Sequence, residues 1–213
     1  MKKLLMSATA LALLLTASAS RTFALSGPAA QSAPAAQAKD TTPPSYDMKP
    51  QALLDLDGMH KKFVDLATAV PAEKYSWRPA EGVRSIGEVF LHVAGANYII
   101  PNLMGAPLPP GFDMKGFDKS LTDKAQIIDA LNKSFASAHG AIEAMTNGDF
   151  NKPLPKLGPD ANYGDVIYLL VTHAHEHLGQ SIAYARMNGI VPPWTAAAEA
   201  DAAAKKKAAP PEN

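Results

Sequence analysis

Cysteine is absent from this 213-residue chain. Its absence excludes disulfide staples, lipid attachment through a thiol, and any thiolate nucleophile or thiolate metal ligand. Net charge is lacking as well: 20 Lys and Arg balance 20 Asp and Glu, and no basic stripe interrupts the apolar segments. That excludes the electrostatic footprint of a nucleic-acid binder. The apolar stretch at the start, Leu4 to Leu15, is about a dozen residues, short of the roughly 20 that span a bilayer. Alternating apolar and polar residues of strand type are scarce. Whatever chemistry the chain performs must come from histidine, carboxylate, hydroxyl or bound metal.

The opening "MKKLLMSATALALLLTASASRTFA" puts two lysines ahead of that apolar stretch and small residues after it. This pattern predicts a secretory signal peptide over residues 1–24, cleaved after Ala24, with Ala19 the other site that fits. A periplasmic or secreted location follows. Residues 25–45, rich in Ala, Pro, Ser and Gln, cannot repay the entropy of ordering and are predicted to be a disordered linker. The end, "TAAAEADAAAKKKAAPPEN" over 195–213, is predicted to be a disordered low-complexity tail, its alanines forming at most a frayed helix.

Between these ends, residues 46–194 carry helical periodicity. The first segment, about Gln51 to Val70, places Leu53, Leu56, His60, Phe63, Ala67 and Val70 three and four apart and stops at Pro71. The second opens on "SIGE", a capping box of Ser85 and Glu88, and continues with Val89, His92, Ala96, Ile99 and Leu103. The third starts after Ser120 with Asp123 in its first turn and runs through Ile127, Ile128, Leu131, Phe135, Ala138, Ile142 and Met145 to "NGD". The fourth, capped by Asn162 and Asp165, carries Val166, Leu170, His173, His177, Gln180 and Tyr184, then ends at Asn188-Gly189. The "PLPKLGPDANYG" loop leaves room for a short extended piece. Four amphipathic helices with one long connection near 105–119 predict an all-α four-helix bundle.

Three of the six histidines fall within "HAHEH", residues 173–177. Residues four apart on a helix have Cβ atoms about 5–6 Å apart, so His173 and His177 can present imidazoles to one point. His175 lies about 200° round the helix from His173 and faces elsewhere. His173 and His177 replace apolar residues inside the packing seam, and His92 does the same on the second helix. Imidazoles aimed at a core are costly to bury without partners. A divalent metal would resolve that cost, because three neutral histidines leave a fourth position for water, as in catalytic zinc sites. The ligand set suits zinc or nickel, and tolerates iron. Hydrogen bonding among the histidines and nearby carboxylates is the alternative.

The same stretch also satisfies H-x-x-E-H, the inverted zincin pattern, in which Glu176 would be the general base of a peptidase. Those peptidases are large chains of mixed helix and sheet, unlike this small helical one.

The segments "YSWRPAEGVRSIGEVFLHVAGAN" (75–97) and "HAHEHLGQSIAYARMNGIVPP" (173–193) resemble the DinB/YfiT-like superfamily of metal-binding four-helix bundles, over about residues 46–194. In that family one histidine of the second helix and an H-x-x-x-H pair of the last bind a divalent metal, which the resemblance carries to His92, His173 and His177. It implies thiol-dependent transferase or isomerase chemistry, with mycothiol or bacillithiol as the thiol, or a DNA-damage-inducible protein without assigned activity. It also implies a homodimer formed through helices. An exported hydrolase or group transferase with a small-molecule substrate is the function expected, and a non-enzymatic periplasmic metal-binding or stress-associated module is the alternative.

Several further residues take provisional roles. Glu176 beside His177 is the candidate catalytic residue, to orient an imidazole or relay a proton, unless it is a solvated helix charge. Asn97 lines the pocket or makes a structural bond to backbone, and Gln180 reaches the pocket or joins a buried polar network. Trp77 and Tyr184 are read as core or lid aromatics. His139 is read as surface, and His60 as a reserve ligand.

Overall fold

The computed structural model describes residues 47–208. The signal peptide expected over 1–24 and the linker expected over 25–45 lie outside the described residues. Within them run five helices: α1 (Met48–Ala69), α2 (Ile86–Asn102), α3 (Lys124–Glu143), α4 (Tyr163–Met187) and α5 (Pro193–Ala208). No helix among the described residues is long and apolar enough to cross a membrane. The only extended pairing among them is an antiparallel bridge, Pro153 to Asn162, in the loop before α4.

Helix starts follow cap chemistry. Ser85 and Glu88 form the capping box of α2, and Asn162 and Asp165 that of α4, each satisfying two amides that a helix leaves orphaned. Asp123 caps α3 and is the residue before it, not within its first turn. Asp47 caps α1, which therefore begins three residues before Gln51 and contains Pro50. Proline is tolerated there because first-turn amides have no intrahelical acceptor. Helix α3 stops at Glu143, earlier than its stripe predicts, and Met145 is buried in the turn beyond it.

α1 packs on α3 and α4, and α2 packs on the same two helices. Such a pattern closes four helices into a ring in which α1 faces α2 across one diagonal. Phe63 of α1 meets Phe90 of α2 edge to face across the core, with centroids 6.4 Å apart, and Phe135 of α3 lies 5.8 Å from Phe63. All three are fully buried, each contributing roughly 1.5–3 kcal/mol by leaving water.

α1 and α3 cap one another. Lys49, in the first turn of α1, donates from Nζ to the carbonyls of Glu143 and Met145 at 2.6 Å each. Lys124, the first residue of α3, donates to those of Thr68 and Val70 at 2.8 and 2.7 Å. Each ammonium meets carbonyls left over at the partner's negative end, so the antiparallel pairing is tied at both ends.

α2 departs from its single-faced pattern and is buried on nearly every side. The connection to α3 folds back over its outer face and seats Met114 and Phe117 on Gly95, where a Cβ would come within 2.7 Å of Met114 Sδ. Helix α5 is the helix that the alanines of the tail allow. Pro193 sits in a favoured first helical position, and the following alanines have high helix propensity, so the backbone is helical to Ala208 although none of its residues is buried. Its start meets α1, where Lys62 Nζ lies 5.9 Å from the Trp194 ring centroid.

Candidate metal centre

His92 comes from the middle of α2, and His173 and His177 from consecutive turns of the adjacent α4. The seam read on α4 is the face turned inward: Val166, Leu170 and Tyr184 are buried, and the two histidines and Gln180 half-buried. His175 and Glu176 are exposed, as the helical phase requires.

The three rings converge. Their centroids are 5.2 Å (His92 to His173), 4.6 Å (His92 to His177) and 4.4 Å (His173 to His177) apart. One nitrogen from each lies within 4.8 Å of the others, forming a group that could hold a metal ion. His92 Nε2 and His173 Nε2 are 3.3 Å apart. Two nitrogens bound to one tetrahedral zinc, at Zn–N of about 2.05 Å, would be separated by about 3.3 Å.

The third ring is fixed from outside. His177 Nδ1 lies 2.8 Å from Gln180 Oε1, and Gln180 Nε2 donates to the Tyr184 hydroxyl at 3.0 Å. An amide oxygen only accepts, so the proton of neutral His177 sits on Nδ1 and Nε2 keeps its lone pair. A proton shared between His92 and His173 would satisfy two lone pairs, whereas a cation accepts all three. Trp77 packs edge to face on Tyr184 at 5.6 Å, holding the far end of this chain of contacts.

Burial, aided by nearby positive charge, favours neutral rings. Burial, then the Arg84 guanidinium and His177, lowers the pKa of His92 from 6.5 to about 4, against an opposing pull from Asp118. Burial, then His177 and His92, lowers His173 likewise to about 4, with the Glu176 carboxylate opposing. Rings that stay neutral are rings that can ligate. Neither His92 Nδ1 nor His173 Nδ1 has a hydrogen-bond partner among the described residues.

The model of the DinB superfamily matches residues 55–181, which contain all three histidines and the greater part of the bundle. The chain belongs to the DinB superfamily. Two solved structures share its fold. A DinB-like protein from Bacillus cereus ATCC 10987 aligns with a TM-score of 0.58 at 19% identity, covering 68% of this chain and 95% of that one. A conserved protein from Enterococcus faecalis aligns with a TM-score of 0.55 at 15% identity, covering 67% and 97%. No curated protein matches the sequence.

Other candidates find different places in this DinB-superfamily bundle. Asn97 is 1% exposed and donates from Nδ2 to Ser134 Oγ at 3.2 Å, so it ties α2 to α3 and does not join the histidines. His60 pairs with Asn132 at 2.7 Å and stacks on Phe135 at 5.0 Å, outside the centre. His139 lies 3.7 Å from both Asp57 and Glu143. Glu176 makes no hydrogen bond among the described residues and reaches the centre through its charge on His173. Sequence reading overlooked Arg84. It precedes a helix cap, where an arginine carries no signal distinguishing it from an ordinary surface charge.

Proposed function

We propose that this DinB-superfamily protein is exported, that it binds a divalent metal, zinc or nickel, through His92, His173 and His177, and that it is a metal-dependent hydrolase or group transferase acting on a small molecule. The convergence of three imidazoles from two helices carries the reading, supported by the depressed basicity of two of them. A divalent ion held there supplies Lewis acidity toward a water, thiol or carbonyl. Gln180 orients His177 and keeps its Nε2 free, a positioning role that Tyr184 backs. Glu176, exposed beside the ligand pair, holds or passes a proton at the rim. The half-burial of all three rings leaves an approach from solvent.

The deciding experiment is elemental analysis of protein purified without affinity tag or chelator. One equivalent of zinc or nickel, lost in a His92→Ala, His173→Ala double variant that remains helical, is the expected result. A folded wild-type protein that neither contains nor takes up a divalent ion would sink the proposal. Turnover is then sought with a panel of esters and of electrophiles offered with a thiol.

A further inference from the structure

A cavity of about 530 Å³ is linked to the histidine cluster through Gln180, which lines it and is the partner of His177. Arg84, Asp118, Lys119, Arg78 and Glu88 also line it. Two of the three cations there are committed to carboxylates: Arg78 Nη2 to Glu88 at 3.0 Å and Arg84 Nε to Asp118 at 3.1 Å. Lys119 has no ion-pair partner among the described residues, so the wall carries a net positive charge.

Arg84 is held in a particular way. Asp118 grips only the Nε edge of its guanidinium, and neither terminal nitrogen has a hydrogen-bond partner among the described residues. Asp118 itself belongs to the single helical turn Phe117–Lys119, which Phe117 and Met114 anchor on Gly95 of α2. The long α2–α3 connection thus fixes an arginine fork beside the cluster, near enough that its charge depresses the basicity of both His92 and His173. A guanidinium clamped along one edge presents its remaining N–H groups as a planar donor pair, the geometry that a carboxylate meets with two oxygens.

We propose that Arg84 is the specificity-determining residue of the site and binds a carboxylate of the substrate, which is therefore a small carboxylic acid whose other end reaches the histidines. A single surplus positive charge in the wall matches a monoanionic head group better than a dianionic phosphate. Lys119, on the same turn as Asp118, adds long-range attraction without fixing geometry. The proposal rests on the metal-centre reading only for the second end of the molecule; capture by Arg84 needs no metal.

Succinate and inorganic phosphate are titrated separately into metal-free and zinc-loaded full-length protein, following heat release and the Arg84 side-chain N–H signal by NMR. Expected is succinate binding in both forms, tighter with zinc, weakened at least tenfold in Arg84→Gln and only in part restored in Arg84→Lys, with melting temperature and zinc stoichiometry unchanged in both variants. Should Arg84→Gln lose its fold, Asp118→Asn, which frees the Nε edge and the fork's orientation, is expected to weaken succinate severalfold. Succinate binding that ignores Arg84, phosphate binding tighter than succinate, or no binding of either overturns the proposal. If zinc fails to bind while succinate still depends on Arg84, the metal reading falls and the carboxylate site stands.

Discussion

Gln180 accepts the Nδ1–H of His177 across 2.8 Å, one turn along the same helix, and so decides which nitrogen of that ring faces His92 and His173. Removing the acceptor leaves the ring free to rotate and to change tautomer. Gln180→Leu is therefore expected to raise the zinc dissociation constant about 10-fold to 100-fold, the usual range for a lost outer partner. Competition with a chromophoric chelator measures it. Unchanged affinity would mean that packing alone orients His177.

Helical phase separates the three histidines of "HAHEH". His175 is exposed while His173 and His177 turn inward. His173→Ala and His177→Ala should each abolish stoichiometric zinc binding, and His175→Ala should leave it within about twofold, a shift far below the loss of a ligand. Isothermal titration of the three variants at one pH gives the comparison. Equal losses from all three would contradict the inward and outward faces described here.

Much of this arrangement was legible in the sequence because its signals are local. Capping boxes at Ser85 and Asn162 and the period of α4 mark where helices begin and which way His173 and His177 face. The meeting with His92 is a long-range fact, and the family resemblance supplied it where periodicity could not. Less legible were features created by packing. Asn97 stands close to His92 in sequence, yet α3 claims its amide through Ser134. α2 reads as half-buried but is enclosed, because the covering connection has no periodicity of its own. Lys49 and Lys124 look like surface lysines until the antiparallel contact brings each to the other helix's end.

Acid should destabilise the metal-free protein through the histidine cluster. His92 and His173 have folded pKa values near 4, below the ordinary 6.5. Between about 6.5 and 4 the unfolded chain holds more protons, so this contribution is whole above about pH 6.5 and is lost as pH falls through that window. Urea denaturation at pH 7.5, 6 and 5 in chelator should show the decline. A His92→Leu, His173→Leu variant should show a flatter one, since its carboxylates still titrate but these rings do not. Parallel profiles would remove the cluster as the cause.

The reciprocal lysine caps predict two separable losses. Lys49→Met and Lys124→Met each leave a pair of helix-end carbonyls to solvent, costing about 1 kcal/mol apiece. α1 has 22 residues, so the caps sit about 30 Å apart and their effects should add. Denaturant midpoints of the single and double variants decide this. A double variant no worse than one single would show that the two ends are not independently tied.

Gly95 controls how the α2–α3 connection lies on the bundle. A methyl group there would stand 2.7 Å from Met114 Sδ and 3.1 Å from Phe117 Cδ1, so one of them must move. The thioether can yield, but the ring is confined by Phe112, whose centroid lies 5.0 Å away. Gly95→Ala should therefore cost about 1–3 kcal/mol by overpacking, despite the better helix propensity of alanine. In a Met114→Ala background the same change should cost distinctly less, because the nearest obstacle is gone. Displacement of Phe117 also moves Asp118, the next residue, and with it the clamp on Arg84. A Gly95→Ala protein of unchanged stability, with equal cost in both backgrounds, would show that the connection is not seated on α2 as described.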